Sequence, residues 1–260
     1  MITQLLDQIP VSAVFVLFAI TTFLAYEAGF RIGRWRQART PDQVEEGPSG
    51  VLVGSLLGLL AFVLAITMGM ASDRFDARRA LVLEEANAIG TTYLRAGYLP
   101  EPARDQIRTL LREYVPLRIN TFQRSELEAH LVQSEEIHAE LWAISEEVAR
   151  TTDQGDLVSL FLDGLNETIE LHSTRVAALL YARVPETVVL LLFAGSAMTI
   201  GIVGYNAGLT GKRSALTAVA LILALGAVTT LVVDLDRPRD GFLQVSQQPL
   251  IDLAERIGPP

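Results

Sequence analysis

Cysteine is absent from the 260 residues. Its absence removes disulfides, thiolate nucleophiles, zinc–thiolate sites and iron–sulfur clusters, and leaves the redox compartment unmarked. The motifs of the common enzyme classes are missing too: there is no nucleophile elbow, dinucleotide fingerprint or zinc-protease motif. Gly208-Leu209-Thr210-Gly211-Lys212-Arg213 has the flavour of a phosphate loop, but Asn206 occupies the first-glycine position and Arg213 the hydroxyl position. A phosphate loop also follows a strand, whereas this segment lies between two apolar runs. Glu135 and His138 have the E-x-x-H spacing of carboxylate-bridged di-iron bundles, but neither His130 nor His172 has a Glu three residues earlier to complete a second copy. The three histidines therefore read as solvated helix-surface residues. No catalytic residue, cofactor or metal site is expected. A formal net charge of -9 argues against nucleic acid as a partner.

What is present is strongly segregated. Half of the residues are hydrophobic, and they concentrate in four apolar runs, 11–30, 51–71, 184–205 and 215–233, each long enough to span a bilayer. Between the second and third lies a polar insert, 72–183, with 19 acidic residues against 12 basic ones. The spacing divides the chain into a first pair of spans with their connector (1–71), a helical extramembrane domain (72–183), a second pair of spans (184–235) and a C-terminal tail docked against a neighbouring helix (236–260). No basic segment precedes the first run and no small-residue cleavage site follows it, so it reads as a retained span. Pro10 suits its helix start. Glu27, its one acid, is expected to pair with Arg31 one turn on, near the headgroups.

The connector after this span opens with Arg31, Arg34, Arg36 and Arg39 and turns acidic and flexible through 45–50. Lys212 and Arg213 lie on the same side, which favours a cytoplasmic position for both short loops. Arg74, Arg78, Arg79, Arg183, Arg237 and Arg239 flank the other side and nearly cancel the asymmetry, so orientation stays open. Within the insert, Pro100 and Pro102 mark a turn, Pro116 is expected to bend or end a helix, and Ser125 with Glu128 makes a capping box. Apolar residues recur at helical spacing in 107–114, 137–148 and 157–179, with a break at 151–155. No strand pattern competes. In the tail, Asp234, Asp236 and Asp240 read as docking and ion-pairing residues in preference to a hard-cation site.

Residues 52–85 pass from hydrocarbon to dense charge without a turn signal, which predicts one continuous helix leaving the membrane. Gly54, Gly58, Ala61, Ala65, Gly69 and Ser72 fall on one narrow arc, a small-residue stripe that lets another backbone approach closely. Leu56, Leu59, Leu60, Val63, Thr67 and Met70 lie opposite. A packing face with a lipid face, or a face lining a pore, both fit this pattern.

The run 56–79 resembles the second membrane helix of bestrophin channels, in which an apolar stretch opening Leu-Leu-Gly leads into an Asp-Arg-aromatic and basic segment. The order of two spans, helical insert, two spans and tail agrees with that family. Residues 81–100, 165–172 and 235–250 resemble a bacterial branch called bestrophin-like. The resemblance implies an all-α membrane protein, a homopentamer in the bacterial inner membrane that conducts inorganic ions along an axial pore. Aligning Leu-Leu-Gly places Leu59, Val63 and Thr67 at an apolar neck, with Met70 beyond; aligning Asp73-Arg74 shifts the register and places Phe62 and Ile66 there, and the helical wheel, which sets the first three opposite the small-residue stripe, favours the first register. Asp73 and Arg74 would mark the pore exit. Met68, Gly69, Met70 and Ala71 stand where bestrophins carry aromatic pairs and asparagines, and the tail lacks a clear calcium-binding clasp, so neither ion selectivity nor calcium gating carries over. Two other readings fit the composition: a non-conducting scaffold or sensor acting through its acidic helical domain, and an ion-driven stator, which needs polar groups at mid-membrane depth.

Overall fold

The structure, a computed structural model, describes residues 9–39, 50–120, 127–211, 213, 215–238 and 241–259. Residues 40–49 of the connector, the Ser125 cap, Lys212, Arg239 and Asp240 lie outside these residues. Among the described residues eight helices follow in order: α1 Val11–Arg39, α2 Gly50–Arg95, α3 Ala103–Asn120, α4 Leu127–Thr151, α5 Gly155–Leu180, α6 Glu186–Thr210, α7 Ala215–Asp236 and α8 Gln248–Ile257. A 3-10 turn, Ala96–Tyr98, follows α2, and no strand occurs among the described residues. Among the described residues four helices, α1, α2, α6 and α7, are long and apolar enough to cross a membrane.

Residues 52–85 lie within one 46-residue helix, as their unbroken pattern predicts. Two local expectations shift. The helix α1 carries on through the basic residues to Arg39, well past the end of the apolar run. Pro116 sits inside α3, which continues to Asn120. Proline forfeits one backbone hydrogen bond there, but Arg118, two residues on, is fully buried and ion-paired, and this contact holds the last turn.

The chain forms two compact units, the first from residues 1–75 and 183–244, the second from 76–182 and 245–260. In the first, α1 and α6 run parallel and pack backbone to backbone. A Cβ on Gly29 or Gly33 would collide with the carbonyl oxygens of Gly201 and Tyr205, and one on Gly204 or Gly208 with those of Tyr26 and Phe30. Without a hydrophobic driving force between helices in lipid, such close packing is what holds spans together. Phe18 and Phe193 meet edge to face at 5.4 Å between ring centroids. The helix α7 adds antiparallel to α1, with Gly226 seated on Phe15 and Phe18 and with Ala218 and Ile222 near Tyr26. At one end of this group Glu27 accepts from Arg31 at 3.2 Å, as its spacing predicts, and also from Arg213 at 2.8 Å.

In the second unit a core of Val82, Ile89, Ile107, Leu111, Tyr114, Leu141, Phe161 and Leu165 unites the end of α2 with α3, α4 and α5. The helix α8 closes it with Leu250, Leu253 and Ile257, spaced at one turn and fully or nearly buried. Its terminal carbonyl is satisfied by a side chain: Arg112 donates from Nε to the Ile257 oxygen at 2.9 Å while its Nη2 donates to the Tyr93 hydroxyl at 2.6 Å.

Candidate ion pathway and a buried polar cluster

The apolar part of α2 is covered on one face and open on the other. Leu60, Leu64, Thr67 and Ala71 are buried, recurring at helical spacing. Leu60, Leu64 and Ala71 pack in a cluster with Val189, Leu192, Val232 and Val233. The Thr67 hydroxyl donates to the Val63 carbonyl at 2.7 Å, which satisfies it within its own helix. Turned away from the core are Leu59, Phe62 and Ile66, exposed by 61, 63 and 50%. Gly58, Gly69 and Asp73 share this exposed side. Only 17% of the apolar window of α2 is buried, against 28 to 33% in the other three spans, so α2 is the least covered of the four.

The residues singled out from sequence thus separate. Phe62 and Ile66 stand on the open face with Leu59 beside them, Val63 and Met70 are half-buried on its flank, and Thr67 is inside. Asp73 and Arg74 diverge likewise. Asp73 is exposed, whereas Arg74 turns inward and brings Nη1 to 4.0 Å from Asp236. Among the described residues nothing covers the glycines of the small-residue stripe, since a Cβ added at Gly54, Gly58 or Gly69 meets nothing within 4 Å.

The end of α7 organises the chain on either side of it. Asp234, 2% exposed, accepts from the backbone N–H groups of Phe242 at 2.8 Å and Leu243 at 3.0 Å. Asp236 accepts from the Val184 N–H at 2.7 Å, just ahead of Pro185, which caps α6. Both carboxylates are therefore engaged as backbone anchors, the docking role expected of them. No group of three or more metal-ligating side chains occurs among the described residues.

The second unit contains a cluster that sequence reasoning missed. Glu85 on α2 is fully buried and held by two guanidiniums: Arg118 of α3 donates from Nε to Oε1 at 2.7 Å, and Arg175 of α5 donates from Nη1 to Oε2. Arg175 also donates from Nη2 to Gln247 Oε1, at 2.5 Å, just before α8. Beside this triad lie three rings. Tyr114, one turn before Arg118, has its hydroxyl 3.1 Å from His172 Nδ1. His138 packs against Tyr114 at 4.9 Å and edge-on to His172 at 4.8 Å between ring centroids.

His138 and His172 are thus not solvated surface residues; they are 8 and 6% exposed. The expectation failed because a lone histidine in an amphipathic helix carries no periodic signal of its own. Burial, reinforced by the Arg118 charge, lowers the pKa of His138 to about 4 and that of His172 to about 3, so both are neutral at pH 7. Burial likewise pushes the Tyr114 phenol far up, with Arg118 opposing. Burial lowers the pKa of Arg175, with Glu85 opposing. A usable sequence signal did exist: Glu85, Arg118 and Arg175 each sit on the apolar stripe of its helix, where a charge needs a buried partner.

An all-helical membrane protein with four spans, a helical domain inserted between the second and third, and a tail helix folded onto that domain is the class these observations define. The chain belongs to the Bestrophin-like domain family, whose model matches residues 15–250. That family and fold are known as those of ion channels. No curated protein matches the chain significantly. Among solved structures, the chain is similar to a bacterial bestrophin homologue from Klebsiella pneumoniae, at 14% identity and TM-score 0.66 over 94% of each chain. A point variant of that homologue matches over 94% of this chain and 96% of its own, again at 14% identity and TM-score 0.66. A variant described as a membrane protein matches at 13% identity and TM-score 0.67, over 94 and 95% of the two chains. At such identity the likeness is one of fold.

Proposed function

We propose that the protein is an ion channel of the bacterial inner membrane, assembled from copies of this chain, five by resemblance to bestrophins, with the open face of α2 toward the axis. The observation that carries this reading is the row Leu59, Phe62, Ile66 and Asp73, uncovered along the least buried span. Burial of Thr67 favours the register with Phe62 and Ile66 at the neck over the one with Leu59, Val63 and Thr67. In that register two apolar rings would form a constriction that gates by dewetting, and Asp73 would supply the charge where the neck opens. Arg74, turned to Asp236, would act as a positioning residue for α2. The stripe of Gly54, Gly58 and Gly69 would pack against the neighbouring copy.

The absence of cysteine makes the test clean. Phe62→Cys, Ile66→Cys and Thr67→Cys, each in the otherwise cysteine-free chain, are reconstituted in liposomes and challenged with a charged thiol reagent during ion flux. Flux through the first two variants is expected to fall, and flux through Thr67→Cys to persist. Block confined to Thr67→Cys would reverse the register. Absence of flux from an intact oligomer under every ion and voltage tried would refute conduction and leave the scaffold reading.

A further inference from the structure

We infer that the second unit holds a small inorganic anion, halide-sized, inside its helical core, bound by Arg118 Nη1 and His138 Nε2. The first ground is an unmet hydrogen-bonding demand. Arg118 is 0% exposed, its Nε is spent on Glu85, and its Nη1 is buried with no hydrogen-bond partner. Nε2 of His138, on the neighbouring helix α4, is also buried without a partner. Both groups border the Tyr114 ring, the guanidinium carbon at 5.9 Å and the imidazole at 4.9 Å between centroids. An unpaired buried guanidinium N–H is expensive, and the neutral imidazole adds a second donor in its Nε2–H tautomer, which points to an occupant.

The second ground is charge. Around this point the described residues supply two guanidiniums, Arg118 and Arg175, and one carboxylate, Glu85, each of whose oxygens already accepts from one of them. Tyr114, His138 and His172 are neutral, and the Glu85 carboxylate is divided between two guanidiniums, so it offsets the buried Arg118 charge only in part. A water molecule would satisfy Nη1 and leave that charge in place, whereas an anion would satisfy the donor and offset the charge together. Full burial of Glu85, Tyr114 and Arg118 limits the occupant to a small species such as chloride, bromide or nitrate. The site lies wholly in the second unit and stands or falls independently of conduction.

The test uses the full-length protein, exchanged into sodium gluconate and then titrated with sodium bromide or chloride at constant ionic strength while thermal unfolding is followed. The unfolding midpoint is expected to rise by about 3 to 5 °C per tenfold of anion above its Kd. His138→Phe keeps the ring against Tyr114 and removes Nε2, and is expected to shift the titration at least tenfold to higher anion. Because Arg118→Lys also disturbs the Glu85 pair and can fail to fold, the position is read instead from bromide anomalous scattering, with a peak expected beside Arg118 Nη1. A midpoint indifferent to the anion, a titration unchanged in His138→Phe, or a bromide peak elsewhere would each overturn the assignment, and an ordered water at Nη1 would replace it.

Discussion

Glu85→Gln is the most informative single substitution in the second unit, because it removes a charge while keeping the shape. The carboxylate is 0% exposed and is bonded on one oxygen by Arg118 and on the other by Arg175. Neutralising it leaves two guanidiniums buried, with Arg118 Nε and Arg175 Nη1 facing an amide that can accept through one oxygen only. Breaking a buried pair by removing one partner costs about 3 to 5 kcal/mol. For a chain of this size about 1 kcal/mol shifts the midpoint by roughly 2 to 4 °C, so thermal unfolding should fall by about 6 to 20 °C. The control is Glu147→Gln, whose pair with Arg150 spans 3.5 Å with both side chains 67% exposed. Such a pair contributes about 0 to 1 kcal/mol. Replacing Glu85, Arg118 and Arg175 together by Leu or Met should recover most of the loss, because no unpaired charge is then left inside. Equal midpoints for Glu85→Gln and Glu147→Gln would refute the reasoning.

The interlocked glycines of α1 and α6 set a second expectation: Gly204→Leu drives a side chain into the Tyr26 carbonyl and should abolish a folded membrane unit. Gly58→Leu, at a position where an added Cβ meets nothing among the described residues, should leave monomer folding intact and weaken assembly, both read by size-exclusion chromatography with static light scattering. The histidine pair makes stability depend on acid. The folded pKa values of about 4 for His138 and about 3 for His172 lie below the unfolded value, so the unfolded chain binds more protons between roughly pH 6.5 and pH 4. Stability is then fully present above about pH 6.5 and falls with acidification by up to about 1.4 kcal/mol per pH unit per histidine. Denaturant titrations across that range should show a shallower slope for His172→Phe. Asp234→Asn keeps one acceptor for two N–H groups and should cost about 1 to 2 kcal/mol locally, seen as faster hydrogen exchange at Phe242 and Leu243; unchanged exchange would exclude the anchoring role.

How far the sequence could be read depended on the solvent each segment meets. In the second unit water surrounds the helices, so an apolar stripe marks the core, and Ile107, Leu111, Leu141 and Leu165 were identifiable from spacing alone. The same principle explains what was missed there: Glu85, Arg118 and Arg175 break the stripe, and a pattern of apolar residues cannot show that three interruptions on three helices meet. Four spans were equally legible, since length and hydropathy set them. The covered face of each span was not. Lipid is as apolar as a packed helix, so Leu60 and Phe62 look alike in sequence although one is buried and the other is 63% exposed.

Small residues expose the same ambiguity from the other direction. Gly54, Gly58 and Gly69 form the more regular stripe, yet the backbone contacts within the chain belong to Gly29, Gly33, Gly204 and Gly208. The latter are two G-x-x-x-G pairs on spans that run parallel, and they are consumed in holding α1 to α6. In lipid, a stripe of small residues gains nothing from facing hydrocarbon; its advantage is realised only against another backbone. Among the described residues, one chain offers α2 no such backbone on that side. In the proposed assembly the stripe on α2 would be the contact between copies, and the adjoining row of Phe62, Ile66 and Asp73 would lie next to that contact, where several copies packed through their α2 helices would enclose a common axis.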